Sequence, residues 1–181
     1  IKFLDQNDTI KVLKEKLNTD FEIWESQPVF TFVHAYMPHE PYRYKNCKIN
    51  DNANKANFQY SLEDEINYYI SSVECTFSRI DEITKLILSK DKDALIIFQG
   101  DHGTSMFKPI NELDDVSEQS IEERFSIYNA ALLPNRCKDK FNSKIGNVGT
   151  IQLVLQCIGI DIPNIELNNP RNYIGFYEES K

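Results

Sequence analysis

The chain has 181 residues, 41% hydrophobic and 12% aromatic, which is enough to bury one sizeable core. Its formal charge of −8, from 28 acidic against 20 basic side chains, excludes a nucleic-acid binder that grips phosphates through counterion release. No apolar run approaches the roughly 18–20 residues that cross a bilayer. No glycine-rich nucleotide loop of the G-x-G-x-x-G or G-x-x-x-x-G-K-[ST] type occurs.

The first residues, Ile1-Lys2-Phe3-Leu4-Asp5, turn polar too soon for a secretory leader, and Ile1 in place of Met is expected of a piece of a longer protein. Asp8-Thr9 reads as a helix cap, with Ile10, Val12, Leu13 and Leu17 carrying an apolar face to about Thr19. Pro28 then introduces Val29-Phe30-Thr31-Phe32-Val33, whose β-branched and aromatic run predicts a buried strand. His34, inside that strand, is expected to be a satisfied core histidine or one standing behind a site. The strand runs out in Met37-Pro38-His39-Glu40-Pro41-Tyr42, a loop stiffened by its prolines. Residues 43–57 are polar and unpatterned and predict a surface loop.

Ser61 opens the clearest helix, with Ser61 and Asp64 approximating a capping box. Ile66, Tyr69, Ile70, Val73, Phe77, Ile80 and Ile87 follow helical spacing and predict one face packed on a core. Ala94-Leu95-Ile96-Ile97-Phe98 predicts a second buried strand. Strand, long helix and strand together predict a parallel βαβ unit with a right-handed crossover. That topology puts the loops holding His39 and Asp101-His102 on one sheet edge, where open α/β sheets take their ligands. Further on, residues 111–123 predict an acidic loop with a short helix, and residues 126–133 a third strand stopped by Pro134. Residues 149–158 predict an apolar helix ending at Gly159, and the tail from Asn168 is expected to be irregular or an edge strand.

None of the four cysteines, Cys47, Cys75, Cys137 and Cys157, forms the C-x-x-C pair of a structural zinc site. Cys157, within Leu153-Val154-Leu155-Gln156-Cys157-Ile158, reads as a small buried hydrophobe. Cys47 and Cys75 lie in polar surroundings where a disulfide forms if the compartment is oxidising, and spacing alone sets no pairing.

The densest chemistry is Gly100-Asp101-His102-Gly103 after the second strand. Glycines on either side allow the torsions that turn two adjacent side chains to one point, whereas neighbours on an extended strand face opposite ways. A carboxylate oxygen and an imidazole nitrogen suit zinc or manganese better than calcium. A catalytic zinc needs about three protein ligands, so the pair is either part of a metal site or a turn-shaping Asp-His contact. His39 is a candidate hydrogen-bond donor to an anionic substrate, or a general acid, against the plainer role of packing its loop. Lys108 is a candidate anion contact, or a solvated lysine.

The order of these motifs resembles the alkaline-phosphatase/sulfatase superfamily. Phe30-Thr31-Phe32-Val33-His34, Pro38-His39-Glu40-Pro41-Tyr42, a long helix, and Ile96-Ile97-Phe98-Gln99-Gly100-Asp101-His102-Gly103 carry the likeness. So do Ile127-Tyr128-Asn129-Ala130-Ala131-Leu132-Leu133-Pro134 and Asn147-Val148-Gly149-Thr150. The closer similarity is to the sulfatase-like domains of lipoteichoic-acid synthases and phosphoethanolamine transferases, over about residues 28–160. Residues 1–27 form a leading helix and turn, and 161–181 a tail, of one domain comprising 1–181.

The resemblance implies a three-layer α/β sandwich with a mostly parallel central sheet, of which this chain holds the C-terminal part. It implies Asp101 and His102 as ligands of a divalent metal, zinc or manganese, and His39 as a contact to the transferred phosphate or sulfate. The implied reaction is in-line displacement by a metal-activated Thr or Ser (formylglycine in true sulfatases) through a covalent intermediate. The nucleophile and a further acidic ligand then lie upstream, in the same or a second chain, and no nucleophile motif is found here. No histidine follows His102, where many relatives carry one. The expected substrate is a phosphate- or sulfate-bearing lipid or glycan. The expected setting is extracytoplasmic, periplasmic or at the cell surface, in a parent protein anchored to the membrane outside this chain. The rival expectation is a non-catalytic module of the same fold, serving binding or assembly.

Overall fold

A computed structural model of the chain describes residues 6–19, 29–39, 42, 44–49, 61–106, 116–140 and 147–160. The chain divides into two compact units, Ile1–Lys92 and Asp93–Lys181. Among the described residues no helix is long and apolar enough to cross a membrane.

The first unit is built on two helices, α1 (Gln6–Thr19) and α2 (Leu62–Lys90). Helix α1 starts two residues ahead of Asp8, so the Asp8-Thr9 pair expected to cap it lies in its first turn. Leu17 is its buried anchor, and Lys14 pairs with Glu82 of α2. Ser61 caps α2 as expected. Its hydroxyl accepts from the Asp64 backbone N–H at 3.1 Å and donates to the Asp64 carboxylate at 2.7 Å. The reciprocal bond of a capping box to the cap's own N–H is thus replaced by one to its hydroxyl.

The face that α2 buries is rotated from the apolar stripe in its sequence. Ser72, Cys75 and Ile83 are the buried positions, while Ile70 and Phe77 are exposed. The cause is a hairpin within the segment expected to be an unpatterned loop. Strands β1 (Tyr44–Lys45) and β2 (Lys48–Ile49) pair antiparallel across Asn46-Cys47. Both turn residues have positive φ, 52° and 58°, as a type I′ hairpin turn requires. A disulfide from Cys47 to Cys75 fastens this turn to α2, and the Asn46 N–H donates to the Ser71 hydroxyl at 3.1 Å. Tyr42 is buried edge-on against Tyr69, with ring centroids 5.1 Å apart. The hairpin therefore selects the small residues of α2 as its inner face.

The second unit holds β3 (Ile96–Gln99) and β4 (Asn129–Leu132), paired antiparallel with Ile96 opposite Leu132 and Gln99 opposite Asn129. Between them runs α3 (Glu118–Phe125), capped reciprocally by Ser117 and Ser120. After β4, the buried Pro134 ends the strand and opens a 3₁₀ helix over Asn135–Lys140. Helix α4 (Asn147–Cys157) ends at Gly159, whose φ of 87° sets a Schellman cap. There the Gly159 N–H bonds the Gln156 carbonyl at 3.2 Å and the Ile160 N–H bonds the Leu155 carbonyl at 2.9 Å. Cys137 and Cys157 form a second disulfide, tying the 3₁₀ helix to α4. Cys157 is buried as expected, but as a covalent cross-link beside Leu153 and not as a lone hydrophobe. Ile96, Ser120, Thr150 and Gln152 are also buried.

Two strand expectations need correction. Residues 29–36 form no ladder, and Phe30 and Phe32 are 88% and 79% exposed. An apolar run forms a buried strand only when a partner backbone takes up its amides, and among the described residues none pairs with it. His34 is likewise exposed, where a core position was expected. The parallel βαβ pairing is not observed among the described residues. Strand β3 pairs instead with β4, and the connection between them, which includes α3, is one that permits antiparallel pairing. The described architecture is thus α/β, with two small antiparallel sheets.

Candidate functional site

Strand β3 delivers the chain to Gly100, whose N–H bonds the Tyr128 carbonyl at 2.8 Å and so extends the ladder by one rung. The backbone then bends at Asp101. Asp101 Oδ1 accepts from the His102 backbone N–H at 3.0 Å. The His102 ring turns the other way, with Nδ1 2.9 Å from the Gly103 carbonyl oxygen. A carbonyl only accepts, so Nδ1 is the donor in this contact, which selects the tautomer whose lone pair is on Nε2. Asp101 Oδ2 and His102 Nε2 stand 3.7 Å apart, beyond hydrogen-bonding distance of each other.

This arrangement fits a pair of metal ligands. Two ligands each about 2.0–2.2 Å from one zinc lie about 3.3–3.6 Å apart in a tetrahedron, close to the spacing seen. Hydrogen bonding of the second ring nitrogen to a backbone carbonyl is the usual support of a ligating histidine. The Asp101 side chain is 82% exposed and that of His102 is 37% exposed, so the pair is accessible from solvent. Among the described residues no group of three or more His, Cys, Asp or Glu side chains converges on one ion position.

The loop bearing the pair is clasped by the last turn of α3. The Gly103 N–H bonds the Arg124 carbonyl at 2.7 Å, and the Arg124 guanidinium donates to the Gly103 carbonyl at 3.1 Å. Glu123 Oε1 accepts from the Thr104 hydroxyl at 2.5 Å and from the Met106 N–H at 2.7 Å. Its other oxygen is buried with no hydrogen-bond partner. The flanking glycines act differently from the expectation that both supply unusual torsions. Neither has positive φ. Gly103 is required for space, since a Cβ there would lie 2.0 Å from the Glu123 carbonyl oxygen and 2.9 Å from that of Ser126. Arg124 and Glu123 were hidden in sequence within Glu122-Glu123-Arg124, a charged stretch that reads as solvated surface.

Behind the site, Gln99 Nε2 approaches Asn129 Oδ1 at 3.4 Å, and Asn129 Nδ2 donates to the Thr150 hydroxyl at 2.8 Å. These contacts tie the ends of β3 and β4 nearest the loop to the start of α4.

Of the other two predicted site residues, one belongs to the first unit and one lies outside the described residues. His39 belongs to the first unit, where its ring stacks on Tyr36 with centroids 3.9 Å apart and planes inclined by 21°. It follows a cis Met37–Pro38 bond and is partly buried. The stack fixes the imidazole plane within a segment that has no ladder to hold it. Lys108 lies outside the described residues.

The chain matches the Sulfatase family over residues 6–144, a span that takes in both His39 and the Gly100–Gly103 loop. This covers well over half of the sequence, and the chain belongs to the sulfatase family, within the alkaline-phosphatase/sulfatase superfamily. Membership implies an alkaline-phosphatase-like α/β fold and sulfatase-like hydrolase or transferase chemistry, and domains of this family are generally metal-dependent. Comparison with curated proteins and with solved structures gave no significant match.

Proposed function

We propose that the chain is the later part of a metal-dependent sulfatase-like enzyme that transfers a phospho-group to a lipid or glycan at the cell envelope. Asp101 and His102 hold zinc or manganese, and His39 and Lys108 contact the transferred phosphate. The observation that carries this reading is the Asp101–His102 geometry. Each side chain uses one polar atom to anchor itself to backbone, with Oδ2 and Nε2 set side by side at 3.7 Å. When bound, the metal lowers the pKa of a hydroxyl nucleophile and offsets charge on the transferred group. The residues of this chain position that ion and, through His39, donate a hydrogen bond to the anionic group. In this reading β3 and β4 are part of a three-layer sandwich whose parallel strands and nucleophile come from the upstream part. Two disulfides support an oxidising, extracytoplasmic compartment.

The test uses the complete parent protein, with metal content measured by mass spectrometry. Activity is followed on chromogenic phosphomonoester, phosphodiester and sulfate-ester substrates. One zinc or manganese per chain, lost in Asp101→Ala together with activity on phosphate esters, is expected. Unchanged metal content and activity in Asp101→Ala would overturn the assignment.

A further inference from the structure

The Gly103 carbonyl oxygen has two donors, the His102 imidazole at 2.9 Å and the Arg124 guanidinium at 3.1 Å. It is therefore a shared hinge between the candidate ligand and α3. We propose that Arg124 is a positioning residue that fixes the tautomer and ring orientation of His102 through this carbonyl. The inference rests on the metal-ligand reading of His102 for its functional meaning, though not for its geometry.

A glycine peptide rotates with little steric hindrance, because no Cβ limits its torsions. Left to itself, the 103–104 peptide would carry its oxygen away from the His102 ring. Two contacts from α3 oppose that rotation. The Arg124 side chain holds the Gly103 oxygen and Glu123 holds the Thr104 hydroxyl at 2.5 Å, while the Arg124 carbonyl anchors the preceding peptide through the Gly103 N–H at 2.7 Å. A carbonyl has two lone pairs and accepts both donors without displacing either. Arginine suits the task because its guanidinium stays charged at any working pH and offers several donors in a rigid plane.

Losing the guanidinium removes one hold on the oxygen, and with it support for the contact that keeps the proton on Nδ1. The ring then drifts towards the Nε2–H form that histidine favours in water, which has no lone pair at the nitrogen beside Asp101 Oδ2. Neither the charge of Arg124 nor its place in a helix end accounts for this role. The shared acceptor does.

The test reads the ring directly. The two ring nitrogens of His102 are followed by long-range proton–nitrogen correlation in the full, metal-free chain at about pH 8, where unperturbed histidines are neutral. With only three histidines, a His102→Gln spectrum assigns the signal. The wild type is expected in the Nδ1–H form, Arg124→Ala shifted towards Nε2–H, and Arg124→Lys, which keeps a charged donor, partly restored. Backbone shifts of residues 96–99 report whether each variant stays folded. Should Arg124→Ala not fold, Arg124→Gln keeps most of the packing stem, lacks the charge and gives the same reading. Zinc and manganese titrations of the complete parent protein then measure affinity, expected to fall about 10–100-fold in the variants, the usual effect of losing a ligand's supporting partner. A His102 tautomer identical in wild type and folded Arg124 variants overturns the proposal and leaves the metal reading standing. A shifted tautomer beside a complete parent protein that takes up neither ion supports the role of Arg124 and refutes the metal reading.

Discussion

Replacing Gly103 with alanine should damage the second unit in a way that replacing Gly100 does not. At Gly103 the new Cβ would sit 2.0 Å from the Glu123 carbonyl oxygen, 2.9 Å from that of Ser126 and 3.2 Å from the Arg124 carbonyl carbon, all of them backbone. Comfortable contact needs about 3.5 Å, so the loop and the last turn of α3 must part by roughly 1 Å or more. That movement stretches the Gly103–Arg124 backbone bond from 2.7 Å and the guanidinium bond from 3.1 Å beyond useful range. A neutral hydrogen bond contributes about 1 kcal/mol and one to a charged group about 1.5–3 kcal/mol, so the combined loss is about 3 kcal/mol. At Gly100 the nearest atoms to an added Cβ are 3.7 Å away, and the effect should stay within about 0.5 kcal/mol. Urea unfolding followed by circular dichroism gives both values, and amide exchange at residues 96–99 localises the loss. Equal stability of Gly103→Ala and wild type would refute the close-approach argument. So would a Gly100→Ala variant as damaged as Gly103→Ala.

The other expected outcomes concern the cross-links, a helix end and the ligand pair. Chain entropy gives the Cys47–Cys75 bridge, closing 28 residues, about 3.6 kcal/mol, and the Cys137–Cys157 bridge, closing 20, about 3.3 kcal/mol. Cys47→Ser with Cys75→Ser, and Cys137→Ser with Cys157→Ser, should each lower the thermal midpoint. Thiol titration of the unfolded wild type should find no free sulfhydryl. Gly159→Ala should lose about 1 kcal/mol in urea unfolding, because φ is 87° and the surrounding space is open, so only the left-handed conformation penalises a side chain. Gly159→Asn should lose less. His102→Ala is expected to weaken zinc binding, measured by titration, as severely as Asp101→Ala, since two ligands of one ion fail together.

The sequence reveals local order better than it reveals which faces are buried. Ser61 as a cap, Gly159 as a stop, and Pro134 as the end of a strand each act within a few residues, and each is found where expected. The buried face of α2 was misjudged because hydrophobicity points to Ile70 and Phe77. What docks there is a disulfide-bonded hairpin that requires small residues such as Ser72 and Cys75. The hairpin itself was hidden because Asn-Cys stands where Asn-Gly is the usual signal for two positive torsions. The run Val29–Val33 has strand composition, yet composition cannot supply the partner that makes a strand. Asp101 and His102 stand out in the sequence as a candidate pair because a carboxylate and an imidazole adjoin between glycines. Their clasp does not, because Glu123 and Arg124 look like ordinary surface charges until their backbone neighbours are known.

The geometry also bears on the two roles open to an Asp-His pair after a strand. A pair that merely shapes a turn would bond carboxylate to imidazole, saturating both groups. Here the carboxylate takes a backbone N–H and the ring donates to a backbone carbonyl, while Oδ2 and Nε2 remain 3.7 Å apart. The turn would stand without either side chain contacting the other, held by the bonds from α3 to Gly103, Thr104 and Met106. Much of the shape is thus supplied by the clasp. A rigid backbone beneath an accessible carboxylate and an imidazole of fixed tautomer is what binding an ion without reorganisation requires. On the metal reading proposed above, such a pair would be a prepared foothold for an ion, and the close clasp accounts for the lack of room at Gly103 for a side chain.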